Sequence, residues 1–167
     1  KVLKILVKNS RKALAEISNA YFKEPSKKLK LFGITGTNGK TTTSYIIRNI
    51  LETAGEKTGL LGTISNFIGN KEISSTLTTP ESNELNELLF EMYSEGCSSA
   101  VMEVSSHSLV LNRVHDIHFE YAVFTNLTTD HLDFHQNSQN YFEAKKILFD
   151  NLNASSKSVF NCDDPFG

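Results

Sequence analysis

The sequence predicts an α/β fold, in which a mostly parallel sheet carries helices on both faces. Short apolar runs typical of buried strands alternate along the chain with longer segments whose apolar residues recur at helical spacing. A glycine-rich stretch joins the first of these strands to the helix that follows it. Strands that alternate with helices form parallel sheets covered on both sides, which is the basis of this prediction.

The predicted elements follow one another along the whole chain. Helices are expected at residues 10–22, 41–54, 82–95, 106–112 and 139–151. Strands are expected at residues 29–35, 58–64, 99–104, 119–126 and 157–161, with a hairpin over 66–73 that turns at Gly69 and Asn70. Ser10 and Ser82 are the expected N-caps, Gly55 and Gly96 the expected helix ends, and residues 23–28 a linker.

Composition places the chain among ordinary globular proteins. Its 167 residues carry a formal net charge of −2 and are 39% hydrophobic, which suffices for one domain with its own core. The charge argues against a nucleic-acid surface, and no apolar run approaches the roughly 20 residues that span a bilayer. No signal peptide is predicted.

Cys97 and Cys162 lack metal-ligand spacing, so we expect free thiols in a reducing cytoplasm.

The stretch GITGTNGKTTTS at residues 33–44 has the strand-to-helix context of a phosphate-binding loop. Its glycines let backbone N–H groups turn toward phosphate oxygens, and Lys40 would lie against the outer phosphates. Thr41 could give its hydroxyl to Mg²⁺. The strict P-loop pattern needs a glycine where Ile34 stands, and a structural turn with an exposed lysine is the alternative. The flanking strand and helix favour phosphate binding.

Other predicted strand ends also carry polar side chains. Glu103 lies at the end of strand 99–104, where ligands bind in parallel sheets, and is a candidate Mg²⁺ ligand; the alternative is a solvated glutamate. Nucleophilic catalysis by Ser105 is not predicted, because G-x-S-x-G is absent. Four further candidate ligands lie close together in the sequence: Asp130, His131, Asp133 and His135. We favour a site in which one of these histidines binds a second divalent ion over a zinc site. The alternative is a histidine that only forms a hydrogen bond within the loop.

The predicted helix 139–151 carries a lysine on its aromatic face. At helical spacing, Tyr141, Lys145 and Leu148 share one side. A buried lysine needs a partner or a lowered pKa, whereas a snorkelling lysine keeps its ammonium in water. Both interpretations of Lys145 stay open from these residues alone.

These segments, in this order, resemble the Mur ligase family, and most closely its MurE type. The 33–44 stretch resembles the family's ATP loop, which has G-T-N-G-K-T-T in place of the strict P-loop pattern. The further segments that carry the resemblance are LTTPES (77–82), MEVSSHSL (102–109), FTNLTTDHLDFH (124–135), YFEAKKILF (141–149) and the NCDD near the chain end. The resemblance implies a P-loop-type α/β central domain.

The resemblance also implies an ATP- and Mg²⁺-dependent ligase that forms an amide bond. A carboxylate of UDP-N-acetylmuramoyl-L-alanyl-D-glutamate would take the γ-phosphate of ATP, and the amino group of an incoming amino acid would attack the acyl phosphate. The incoming amino acid would be diaminopimelate or lysine, with diaminopimelate favoured. Such a reaction belongs to peptidoglycan synthesis.

Residue roles follow from the resemblance position by position. ATP would be held by Gly36, Thr37, Asn38, Gly39, Lys40, Thr41 and Thr42. The metal would be held by Thr41, Glu103, His131 and a carbamylated Lys145. The catalytic residues would be Lys40, His131 and Lys145. The substrate would be held by Thr78, Thr79, Ser105 and Arg113, while Leu111 stands where some members carry a glutamine. Carbamylation would turn the Lys145 ammonium into an anion.

The family has three domains, so the resemblance implies a division of this chain. Residues 1–27 would be the tail of an N-terminal UDP-sugar domain or a linker, and residues 28–167 the central ATP-binding domain. The chain begins at Lys1 and ends at Gly167, and a fragment of a longer protein is expected. We expect it to be a cytoplasmic monomer without nucleic-acid or membrane partners. On its own it should bind nucleotide weakly and not ligate.

Two alternatives remain. A folylpolyglutamate synthase-like ligase also uses ATP and a carbamylated lysine, but TTPES and MEVSSHSL favour the cell-wall enzyme. A nucleotide-dependent switch or non-catalytic binding module would need γ-phosphate-sensing loops without the modified lysine.

Overall fold

The computed structural model describes residues 4–128, 130 and 132–167. The helices in this part of the chain are α1 (Ser10–Tyr21), α2 (Lys40–Thr53), α3 (Ser82–Ser94), α4 (Ser106–Val110), α5 (Leu132–His135) and α6 (Ser138–Asp150). The strands are β1 (Lys30–Thr35), β2 (Thr58–Leu61), β3 (Ser65–Ile68), β4 (Lys71–Ser74), β5 (Ser99–Glu103), β6 (Tyr121–Phe124) and β7 (Lys157–Phe160).

The strands described here form one sheet in the order β4-β3-β2-β5-β1-β6-β7. Within the part ordered β2-β5-β1-β6-β7 each strand is parallel to its neighbours. The hairpin of β3 and β4 extends the sheet beyond β2 with antiparallel pairing. In the register of the central strands, Ile34 pairs with Glu103 and Thr35 pairs with Phe124. The carboxyl ends of β5, β1 and β6 therefore meet at one edge, which is where ligands bind in such sheets.

Helices cover both faces of this sheet, as predicted. On one face Leu31 and Met102 pack with α3 residues such as Leu89. On the other face Ile34 and Val101 pack with residues of α2. Neighbouring residues of one strand point to opposite faces, so a strand buried on both sides becomes a continuous apolar run. The predicted α/β fold class is confirmed.

Local differences from the predicted elements concern caps and short helices. Asn9 is the N-cap of α1, because its side-chain oxygen accepts from the backbone N–H groups of Arg11 and Lys12 at 3.0 and 3.1 Å; Ser10 was the wrong residue. Glu81, rather than Ser82, is the N-cap of α3. The linker contains a 3-10 helix at Pro25–Lys28, and α5 was not predicted.

The helical spacing of α1 predicted a helix correctly, but its apolar side chains do not all face the core. Leu14, Ile17 and Tyr21 are 41%, 58% and 77% exposed, while Ala15 is fully buried. Spacing alone shows which residues share a helix face and cannot show what covers it. No helix among the described residues has the length and apolar character to cross a membrane.

Candidate nucleotide and metal site

The glycine loop lies between β1 and α2 at the carboxyl edge of the sheet. Gly36 and Gly39 have φ angles of +144° and +84°, a region that glycine adopts without steric cost. Gly39 is the N-cap residue of α2, and no side chain among the described residues caps this helix end. Uncapped N–H groups and the helix dipole together favour an anion at this position.

The segment after β6 holds this loop in place. The backbone N–H of Thr37 donates to the carbonyl of Asn126 at 2.9 Å, and the N–H of Asn38 donates to the Asn126 side chain at 3.0 Å. Thr125 Oγ1 donates to the Asn38 carbonyl at 2.7 Å, and the N–H of Thr128 donates to Thr37 Oγ1 at 3.0 Å. Two loop amides predicted for phosphate thus have protein partners, which sequence reasoning missed.

Lys40 lies across the loop rather than extending into solvent. Its Nζ donates to the carbonyls of Gly36 and Thr37 at 3.0 and 2.8 Å. Burial lowers the pKa of Lys40, and the negative charges of Glu103 and Asp130 oppose that shift. The alternative of a structural turn with an exposed lysine does not describe this loop.

Glu103 is buried at the end of β5, with 1% of its surface exposed. Thr41 Oγ1 donates to Glu103 Oε2 at 2.9 Å, and the backbone N–H of Thr63 donates to Oε1 at 3.0 Å. The solvated-glutamate alternative is therefore wrong. A hydroxyl and a carboxylate side by side are oxygen ligands that suit Mg²⁺, which keeps several waters and substrate phosphates as its other ligands.

The described residues contain no group of three or more His, Cys, Asp or Glu side chains arranged to hold a metal ion. An all-protein cage is typical of structural zinc, whereas one or two carboxylates beside phosphates are typical of Mg²⁺. The pairing of Thr41 with Glu103 fits the second type. His131, the predicted ligand of a second ion, lies outside the described residues.

Lys145 is buried on α6, with 2% of its surface exposed, so the snorkelling interpretation is wrong. Its Nζ donates to the Gly36 carbonyl at 2.8 Å and lies 4.3 Å from the centre of the Tyr141 ring. Burial and the nearby charge of Lys40 lower the pKa of Lys145 to about 7, against the opposing charge of Asp130. Lys40 and Lys145 thus converge on one carbonyl oxygen.

The residues predicted to hold the substrate form one network beside Glu103. Thr79 Oγ1 donates to the backbone carbonyl of Glu103 at 2.9 Å and accepts from the backbone N–H of Ser105 at 3.1 Å. Ser105 also caps α4, where its Oγ accepts from Ser108 N at 3.1 Å. Thr78 Oγ1 lies 3.0 Å from Thr63 Oγ1. The fold therefore brings separate sequence segments to one edge.

Arg113 joins this network through Thr79 and Glu81. Its Nη1 donates to the Thr79 carbonyl at 3.1 Å, and its Nη2 pairs with Glu81 Oε1 at 2.9 Å. The guanidinium is thus fixed at the site while being paired with a carboxylate of the chain itself. Leu111, at the predicted substrate position, is the C-cap residue of α4.

Alanine at Gly36 is expected to destabilise the fold by roughly 3 kcal/mol or more, since a Cβ there would lie 1.9 Å from Thr125 Oγ1. Gly55→Ala is the matched control, because Gly55 also has a positive φ, +88°, but its Cβ would meet nothing within 4 Å. The control should cost only about 1 kcal/mol of backbone strain. Urea unfolding measures both; equal losses would contradict the steric argument.

A comparison with protein families matches residues 34–167 to the Mur ligase middle domain. The chain belongs to the Mur ligase family. This Mur ligase domain is 56% identical over 163 residues to the UDP-N-acetylmuramoyl-L-alanyl-D-glutamate--2,6-diaminopimelate ligase of Clostridium perfringens (strain 13 / Type A). That match covers 98% of this chain and 33% of the relative, so the chain spans about a third of the length of the curated relatives it matches.

Solved structures of related ligases share the fold of this chain. A structure of UDP-N-acetylmuramoyl-L-alanyl-D-glutamate--2,6-diaminopimelate ligase superposes on the Mur ligase domain with a TM-score of 0.77 and 28% identity, covering 92% of this chain and 32% of that one. Mycobacterium tuberculosis folylpolyglutamate synthase, complexed with ADP and AMPPCP, superposes with a TM-score of 0.69 at 15% identity, covering 93% and 42%. The second likeness shows a shared fold alone.

Proposed function

We propose that this chain is the central ATP-binding domain of a longer ligase that joins 2,6-diaminopimelate to UDP-N-acetylmuramoyl-L-alanyl-D-glutamate at the expense of ATP. The observation that carries the proposal is the convergence of Lys40, Lys145 and the Glu103–Thr41 pair at one edge of the sheet. The 56% identity to a ligase of that name supports the substrates, with diaminopimelate preferred over lysine.

The loop is proposed to bind ATP through its glycines, Lys40 and the first turn of α2. The Lys40 ammonium lies on loop carbonyls of Gly36 and Thr37. The phosphate groups of ATP carry net negative charge, and their oxygens attract an ammonium more strongly than neutral carbonyl oxygens do, so Lys40 would exchange partners when ATP binds. The full set of proposed ATP contacts is Gly36, Thr37, Asn38, Gly39, Lys40, Thr41 and Thr42.

Mg²⁺ is proposed to be held by the Thr41 hydroxyl and the Glu103 carboxylate, with His131 at a second ion. When bound, the ion would neutralise charge on the ATP phosphates. The contribution of the chain is to present two oxygens 2.9 Å apart on elements fixed by the sheet and α2. Because Glu103 is buried, its carboxylate has a defined orientation before any ligand arrives.

Lys145 is proposed to be carbamylated. The neutral amine attacks the carbon of CO₂, an N–C bond forms, a C=O electron pair moves onto oxygen and the amine releases a proton to solvent. The ammonium groups of Lys40 and Lys145 both lie on the Gly36 carbonyl and repel each other. Burial, together with this repulsion, lowers the pKa of Lys145. The carbamate replaces that repulsion with attraction to Lys40, and its oxygens would support the metal site.

In the proposed reaction, Thr78, Thr79, Ser105 and Arg113 hold the substrate. Its free carboxylate attacks the γ-phosphorus, ADP leaves and an acyl phosphate forms. The neutral amino group of diaminopimelate then attacks the acyl carbon and forms the N–C bond, the nitrogen releases a proton to solvent, and the C–O bond to phosphate breaks as the amide forms. The role of Lys40 is to stabilise charge on the phosphoryl group in transit. Arg113 would exchange Glu81 for a substrate carboxylate, which its planar donors suit.

Residues 1–27 are proposed to connect this domain to an N-terminal UDP-sugar domain, and residues 28–167 to form the central domain. The match of residues 34–167 to a middle domain supports this division, as does the length of the relatives. We further propose that the whole ligase is a cytoplasmic monomer.

The full-length ligase should release ADP from ATP only when both UDP-N-acetylmuramoyl-L-alanyl-D-glutamate and diaminopimelate are present. A coupled spectrophotometric assay for ADP, with mass spectrometry of the product, measures this. The isolated 167-residue chain should bind ADP weakly by calorimetry and form no amide, and efficient ligation by it would contradict the domain assignment. Release of ADP only with a folate and glutamate would favour the folylpolyglutamate alternative, and hydrolysis without any acid substrate would favour a nucleotide switch.

A further inference from the structure

Thr63 lies between the proposed metal ligand Glu103 and the proposed substrate residue Thr78. It follows β2, and its Oγ1 lies 3.2 Å from Glu103 Oε2 and 3.0 Å from Thr78 Oγ1. Its backbone N–H donates to the other carboxylate oxygen of Glu103 at 3.0 Å. One residue thus contacts both the proposed metal ligand and the proposed substrate segment.

The residue before Thr63 leaves space for the same carboxylate. A Cβ on Gly62 would lie 2.6 Å from Glu103 Oε1, closer than van der Waals contact allows. The Gly62 N–H donates to the Asn66 side chain at 3.1 Å, which fixes the turn after β2. The position of Glu103 is therefore set by this turn as well as by Thr41.

The hydroxyl of Thr63 has one hydrogen and two acceptors within reach. A carboxylate only accepts, so a bond between Thr63 and Glu103 uses the Thr63 hydrogen, and Thr78 must then supply the hydrogen between the two threonines. If Thr78 instead gives its hydrogen to another group, Thr63 turns its own hydrogen to Thr78. Glu103 Oε2 then loses a donor and gains a free lone pair.

We propose that Thr63 is a positioning residue that couples the Glu103 metal site to the substrate segment through Thr78. This inference rests on the proposed function. An acidic substrate group accepts the Thr78 hydrogen, Thr63 turns toward Thr78, and the freed lone pair of Glu103 becomes available to Mg²⁺. Substrate binding and Mg²⁺ binding thereby strengthen each other, as reciprocal linkage requires.

The test measures Mg²⁺ affinity in the full-length ligase by isothermal titration calorimetry, with a saturating non-hydrolysable ATP analogue. The titration is run with and without UDP-N-acetylmuramoyl-L-alanyl-D-glutamate. In the unmodified protein, the substrate is expected to tighten Mg²⁺ binding by about 5-fold, the worth of one hydrogen bond. Thr63→Val, which keeps the shape and the backbone N–H, should reduce this factor to about 1. Thr63→Ser should restore it.

Thr53→Val is the matched control, because it removes a hydroxyl bonded to the Asn49 carbonyl on the exposed end of α2. It should keep the full coupling. The inference is overturned if Thr63→Val retains the coupling, or if Thr63→Ser behaves like Thr63→Val. Failure of the unmodified protein to bind the UDP substrate would overturn the proposed function itself, and this inference with it.

Discussion

Replacing Lys40 with methionine in the full-length ligase should lower kcat for amide formation by about 10³-fold. The Lys40 ammonium lies on the loop, bonded to the Gly36 and Thr37 carbonyls. Methionine keeps the length and apolar stem while removing the charge that stabilises the phosphoryl group in transit. KM for the UDP substrate should change little, because that substrate is proposed to bind on the Thr79 and Arg113 side.

Lys12→Met is the control for this prediction, since Lys12 is exposed on α1 and distant in sequence from the loop. It should retain full activity. Thermal unfolding of Lys40→Met, followed beside that of the unmodified protein, should remain cooperative, so that a loss of kcat reports on the missing charge and not on a loss of fold. A Lys40→Met enzyme with kcat within 10-fold of the unmodified enzyme would rule out the assigned role.

Replacing Lys145 with alanine should lower the ligation rate by about 10²- to 10³-fold, and short carboxylic acids should restore part of it. The amine is buried, and burial with the charge of Lys40 lowers its pKa to about 7, so a substantial fraction of it is neutral and able to react with CO₂ near pH 7. Acetate or propionate can occupy the space left by the side chain and supply the missing carboxylate. Steady-state ADP release across acid concentrations measures the rescue.

Lys146→Ala is the matched control on the same helix. Lys146 is exposed and paired with Asp150, so its loss should leave activity unchanged and carboxylic acids without effect. Full activity of Lys145→Ala would favour the nucleotide-switch alternative. Loss of activity that no carboxylic acid restores, with unchanged thermal unfolding, would count against the carbamate and leave a direct role for the ammonium.

The fold could be predicted from the sequence because the patterns that indicate strands and helices are local. A strand buried on both faces is a short apolar run such as residues 29–35, and a helix of 3.6 residues per turn repeats its apolar positions. Helix caps were harder to predict. Asn9 and Ser10 are both good capping residues, and which of them caps α1 depends on where the chain turns into the helix. The exposure of Leu14 and Ile17 likewise depends on which elements lie nearby.

The family could be predicted from the order of the motifs along the chain. Residues 33–44 and the MEVSSHSL segment identify the chain as a Mur ligase domain, which the match of residues 34–167 confirms. The roles of single residues stay predictions. Sequence motifs name residue types at fixed spacing, and they carry no information on which hydrogen bonds those residues form after folding.

Local sequence patterns established the α/β class, the strand–loop–helix around Lys40 and the family. The folded chain was needed to show that Lys40 and Lys145, 105 positions apart, share the Gly36 carbonyl, and that Thr63 links Glu103 to Thr78. Periodicity and turn chemistry act over a few residues, so they carry no information on such long-range contacts. The parallel sheet, in contrast, gathers strand ends from distant parts of the chain at one edge, and burial there lowers the pKa of Lys40 and of Lys145.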